Sequence, residues 1–280
     1  MAQAETPNRS RGPVMGVFEH ADELRARLMR CLMIFMAGFV GFYWVTEPIL
    51  AFLRRPLFAV LPPERQQLYF TSLFENFLTH LKVAGYASLI FLSPLYFHQV
   101  WGFVSPGLYQ KEKRWVLPFA LSGALFFALG AAFAYSVLFP VGFKYFVQYG
   151  APTDVPLLTI SAYYETCLKL MLLFGLSFEL PVVLVFMGWM GWVSPAQLRE
   201  HRKTAILLIT ILSALFAPPD AVSMLLLMAP LILMFEGAIG VISWIQTRRG
   251  IQGNPQGKSA SGAESGTEPN DPWRGRSISP

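Results

Sequence analysis

Charge is what this chain has least of. Asp, Glu, Lys and Arg make up 14% of its 280 residues, and 54% of the residues are hydrophobic. A soluble domain carries about 25% charged residues, so the balance describes an integral membrane protein. Cysteine is nearly absent: Cys31 and Cys167 both lie in apolar stretches and read as small packing residues, not as a disulfide or a metal pair. The four histidines, His20, His80, His98 and His201, are scattered along the chain. No G-x-x-x-x-G-K-[ST], H-E-x-x-H or G-x-S-x-G stretch occurs. The phosphate-cradling loop, the zinc-protease helix and the serine nucleophile elbow are therefore all missing. No enzyme, metal or cofactor is expected. Ten-residue runs of alternating polarity, the mark of a membrane β-barrel, are missing too, which leaves helices as the spanning element.

What is present is six apolar segments, roughly 28–45, 77–100, 116–139, 168–190, 204–216 and 221–245. A spanning helix needs about 20 apolar residues, and the first four qualify. The fifth is about 20 Å long at 1.5 Å per residue, short of a hydrocarbon core of about 30 Å. The sixth is interrupted by Pro230 and reaches Glu236, and only Ala217–Asp220 separates it from the fifth. The expectation is an all-α integral membrane protein of six transmembrane helices, a concave bundle with short fifth and sixth helices. Residues 17–249 form this domain; residues 1–16 and 250–280, rich in Gly, Ser, Pro and charge, read as disordered tails.

Lys and Arg set the orientation. Arg25, Arg27 and Arg30, then Lys111, Lys113 and Arg114, then Arg199, Arg202 and Lys203, then Arg248 and Arg249 fall on one side. The other side holds Arg54, Arg55, Arg65 and Lys144. Both termini are therefore expected in the cytoplasm. The net charge of +5 is this topology signal and does not point to nucleic acid.

Ionisable groups inside the apolar runs are the functional candidates, since each costs roughly 2.5–3.5 kcal/mol at the bilayer centre. Glu179 interrupts 168–190 with Pro181 two residues on, and no partner is evident on its own helix. It is either an interhelical hydrogen bonder or part of a path for something polar. Glu165 with Lys169, and Glu75 with Lys82, read as pairs that hold helices together. At the inner end, Glu23 and Arg27 stand at i,i+4 on an amphipathic segment. Glu112 is the lone acid among Lys111, Lys113 and Arg114; it is either locally paired or offered to a cationic ligand. A carboxylate can take a guanidinium bidentately.

The motifs His20-Ala-Asp-Glu23-Leu-Arg25-Ala-Arg27-Leu28, Gln99-Val-Trp101-x-Phe103-x-x-Pro106-x-Leu-Tyr109-x-x-Glu112-x-Arg114, Phe178-Glu179-Leu-Pro181 and Pro218-Pro219-Asp220 occur in this order. In form and order they resemble the TatC family, the multispanning receptor of the twin-arginine protein translocase. Leu73 stands where the family often has proline, before the acid that begins the second helix. The resemblance implies that Glu23 and Glu112 receive the paired arginines of a signal peptide, with Phe103 lining the site and Arg25 shaping it. It implies that Glu179 and Asp220 meet partner subunits or the inserted signal, and that Pro56, in the first outer loop, helps to form a cap. It further implies TatA- and TatB-type single-span partners, self-association, residence in the bacterial inner membrane among its lipids, and export driven by the proton-motive force. The competing expectations are a proton-coupled small-molecule transporter using Glu179, an intramembrane enzyme, and a structural scaffold. The first would show matched internal repeats and the second a catalytic constellation; neither is seen in the sequence.

Overall fold

The structure, a computed structural model, describes residues 17–104, 115–149, 157–216 and 220–248. These residues form α1 (Val17–Trp44), α2 (Thr46–Phe58), α3 (Glu75–Phe91), α4 (Ser93–Val104), α5 (Val116–Phe133), α6 (Phe139–Tyr149), α7 (Ile160–Trp189), α8 (Pro195–Glu200), α9 (Arg202–Phe216) and α10 (Ala221–Arg248). A π-helical turn, Ala134–Leu138, joins α5 to α6. Among the described residues the one extended pairing is an isolated bridge between Tyr69 and Thr159. The all-helical expectation holds.

Among the described residues, four helical stretches are long and apolar enough to cross a membrane: His20–Trp44, Val116–Val147, Ile160–Trp189 and Ala221–Arg248. The run 77–100, expected as one segment, is instead two helices, α3 and α4, bent by 55°. Pro94 explains the break, because it cannot donate to the preceding turn and its ring crowds it. Taken as one span, the bent pair is a fifth. α7 begins eight residues earlier than its apolar run, so Glu165 and Lys169 lie within it.

The sixth helix corrects the expectation of a short final pair. α10 has 28 residues, despite Pro230, whereas α9 has 15. Arg202 at the start of α9 pairs with Glu236 in mid-α10. The hairpin proper therefore ends at Glu236, and the rest of α10 continues along α7. There Gln246 donates to the carbonyls of Gly188 and Val193, both at 3.1 Å. Pro230 is tolerated because the helix is held by its neighbours.

α7 is the axis of the bundle, packed on α3, α5 and α10. Small residues let it approach α5 closely: a Cβ on Gly130 would lie 2.5 Å from the Phe174 carbonyl oxygen. α1 is peripheral, and Leu28, Met29, Leu32, Met33, Met36 and Val40 are exposed on it, as suits a helix bathed in lipid.

Pro56, expected in a loop, is buried in the last turn of α2, an amphipathic helix that lies over one end of the bundle. Leu50, Leu53 and Leu57 face inward from it. Three tyrosines hold its backbone from below: Tyr163 Oη donates to the Leu53 carbonyl at 2.6 Å, Tyr135 Oη to Phe52 at 3.0 Å, and Tyr164 Oη to Leu50 at 3.3 Å.

Candidate functional site

The bend between α3 and α4 delivers the C-terminal end of α4 to α1. Trp101 anchors it, edge-on to Phe186 at 4.5 Å and stacked on Phe119 at 5.4 Å. With α4 pinned to α5 and α7 in this way, Gln99, Gly102 and Phe103 meet the first three turns of α1. His20 stacks on Phe103 with ring centroids 4.5 Å apart.

Between the two helices lies one ion pair. Arg27 donates to Glu23 Oε1 through Nε at 3.0 Å and Nη2 at 2.6 Å. Its Nη1 also points to the Gln99 carbonyl, at 3.4 Å. Both side chains are 18% exposed. Gly102 makes room for the guanidinium, since a Cβ there would lie 2.9 Å from Arg27 Cζ. Glu23 Oε2 and Gln99 Oε1 are buried without a hydrogen-bond partner among the described residues. Buried polar atoms are normally paired, and here two open acceptors stand beside one cation. Arg25 is exposed and makes no hydrogen bond or ion pair among the described residues. Glu112 lies outside the described residues. The structure therefore brings Glu23 and Phe103 into one site and turns Arg25 away from the ion pair.

Glu179 faces α5. Its Oε2 lies against Gly123, where a Cβ would come within 3.0 Å, and its Oε1 is buried without a hydrogen-bond partner. The lack of a partner on its own helix matches expectation, and α5 supplies none to Oε1 either. Beside it opens an apolar groove of about 590 Å³ between α5, α7 and α10, lined by Phe119, Phe126, Pro181 and Val241 among others. Asp220 is the N-cap of α10: its Oδ2 accepts the Ser223 N–H at 2.6 Å, and Oδ1 is buried and open. Pro218 and Pro219 lie outside the described residues.

One expected pair is different. Lys82 does not reach Glu75 but Glu165 on α7, at 2.6 Å, and Lys169 takes the other oxygen of Glu165 at 2.5 Å. Glu75 is engaged at the helix ends instead, accepting from Thr71 N–H at 2.6 Å and Ser161 N–H at 3.1 Å. Spacing along one helix could not reveal this, because the partner stands 83 residues away. The tyrosines under α2 were missed for the same reason. Arg27 was visible as an i,i+4 partner, but its reach to α4 was not.

Long apolar helices packed around a buried axis, with unpaired carboxylate oxygens among them, describe a helical protein able to cross a membrane several times. Residues 19–230 match the family model described as Sec-independent protein translocase protein (TatC). The chain belongs to the TatC family, and so is a component of the twin-arginine protein translocase, a transport protein and not an enzyme. It is 41% identical over 221 residues to the TatC of Desulforapulum autotrophicum, covering 79% of this chain and 82% of that one. It is 36% identical to the TatC of Escherichia coli K12, covering 79% and 85%. A crystal structure of the twin arginine translocase receptor TatC superposes with a TM-score of 0.70 at 30% identity, covering 81% of this chain and 100% of that one.

Proposed function

We propose that the chain is the receptor that binds the paired-arginine signal peptide of folded precursors at its inner face. The observation that carries this is the open, buried Oε2 of Glu23, three residues along α1 from the His20 that stacks on Phe103. Two guanidinium groups need two anions. Glu23 is one and Glu112 the other, with Arg25 adjusting the field at the entrance. Charge-assisted, bidentate pairing supplies both energy and geometric specificity.

In this reading the membrane is crossed six times, by α1, the bent α3–α4 pair, α5 with α6, α7, α9 and α10, with both termini in the cytoplasm of a bacterial inner-membrane protein. The distribution of Lys and Arg supports that orientation. Residues 17–249 are the translocase domain. The apolar part of the signal enters against α5 and α7, where Glu179 offers its open oxygen. TatA- and TatB-type single-span proteins assemble along α9 and α10, near Asp220 and the short hairpin. Copies of the chain associate, and the proton-motive force drives export.

The test is site-specific photocrosslinking from position 112 and its neighbours, and from position 103, to precursors carrying Arg-Arg or Lys-Lys. Crosslinks to Arg-Arg alone, lost in Glu112→Ala and Glu23→Ala, are expected. Equal labelling by both signals, or none, would remove the receptor role from this face.

A further inference from the structure

The Glu23 carboxylate is already occupied by an arginine of the same chain. Arg27 places two N–H groups on Oε1 and a third toward the Gln99 carbonyl. The remaining oxygen, Oε2, is open but closed off from solvent. With Oε1 taken by Arg27 and Oε2 buried, an incoming guanidinium meets no free, exposed oxygen of this carboxylate. The pocket for Arg27 is built: Gly102 leaves the volume that the guanidinium fills, and the Trp101 cluster fixes α4, and Gly102 with it, on α5 and α7.

We propose that Arg27 is an internal occupant of the Glu23 site, which an arginine of the signal peptide must displace, and that this competition sets the selectivity for arginine over lysine. The proposal rests on Glu23 being a signal-peptide contact.

The reason is an exchange of like for like. A signal arginine replacing Arg27 restores a planar, forked donor to the carboxylate, and the released Arg27 goes to water at the inner face. A lysine is a compact, strongly hydrated point charge that cannot reproduce the fork. It breaks the internal pair and returns less, by the order of one charge-assisted hydrogen bond, which is about tenfold or more in affinity. If the carboxylate were vacant, both cations would gain by entering it. Discrimination thus arises from what must be given up, a repulsive device in the sense of specificity by competition.

Two substitutions weaken the occupant in different ways. Arg27→Lys keeps the charge and loses the fork. Gly102→Ala keeps the arginine and takes its space. The measurement is equilibrium binding of fluorescent signal peptides, Arg-Arg and Lys-Lys, to the full chain with its membrane partners in native vesicles. Wild type is expected to favour Arg-Arg. Both variants are expected to narrow that preference by about tenfold, chiefly through tighter binding of Lys-Lys. An unchanged preference in the variants overturns the proposal. Loss of Arg-Arg binding with no gain for Lys-Lys overturns it as well, and makes Arg27 a residue that merely positions Glu23. If Arg27→Lys does not fold, Gly102→Ala decides alone. If wild type binds neither peptide, the receptor role of this face falls first, and the displacement falls with it.

Discussion

Tyr135 donates its hydroxyl, at 3.0 Å, to the carbonyl of Phe52, the acceptor four residues before Pro56 that the proline cannot serve. The tyrosine stands in the π-helical turn between α5 and α6, and its ring stacks on Phe52 with centroids 4.1 Å apart. The proline of the outer cap and an irregular turn in a spanning helix are thus two halves of one contact.

Removing the hydroxyls should loosen the cap without unfolding the bundle. Tyr163→Phe leaves the Leu53 carbonyl without its tyrosine donor and is expected to cost about 1 kcal/mol, with Tyr135→Phe costing less because it is more exposed. Thermal unfolding in detergent gives the first number. Labelling of a cysteine placed at the buried position Leu57 gives the second. An unchanged Tm and unchanged labelling in the double variant would show that the cap is held by its leucines alone.

Glu165 is shared by Lys82 and Lys169. Glu165→Gln strands two cations and is expected to lower the Tm more than Lys169→Met, which strands none. Lys82→Met should fall between them, since it removes the only one of the two bonds that ties α3 to α7. Equal shifts for all three variants would contradict this order.

Close approach of α5 and α7 depends on Gly130, whose Cβ would meet the Phe174 backbone. Gly130→Ala is expected to destabilise by about 1–3 kcal/mol, the ordinary cost of overpacking. Gly123→Ala meets only the mobile end of the Glu179 side chain and should cost less. It should act instead on transport, by shifting that carboxylate. Unfolding curves and an export assay, run on both variants, separate the two effects, and equal Tm losses would disprove the distinction.

Asp220 can be tested as a cap and as a partner contact at once. Asp220→Asn keeps the hydrogen bond to Ser223 and Asp220→Ala loses it, at about 1 kcal/mol. If the charge serves assembly, Asp220→Asn keeps its stability and loses export. If the residue is only a cap, Asp220→Asn exports normally.

The helical class, the inner-face residues Glu23 and Arg27 and the isolation of Glu179 on α7 were legible in the sequence, because each depends on spacing within one segment or on a motif. α2 was not, because its thirteen residues are too few for a span and its apolar face shows only at helical period. The bend at Pro94 was masked by continuous hydrophobicity on both sides of it. The length of α10 was misjudged because Pro230 and Glu236 interrupt its hydropathy, while the packing on α7 that keeps it helical is long-range. The partner of Lys82 is likewise a property of the fold.

Beside α2, Tyr69 and Thr159 join the segments that lead into α3 and α7, through Tyr69 N–H to Leu158 O at 2.9 Å and Ile160 N–H to Tyr69 O at 2.8 Å. Two polar links between these helices span a similar stretch of chain, 83 residues from Lys82 to Glu165 and 86 from Glu75 to Ser161. A chain threaded into the bilayer from its N-terminus therefore has α1 to α3 in place long before their fastening exists. Lys82 must wait as an unmatched cation until α7 arrives, so the order of synthesis makes α7 the piece that closes the molecule.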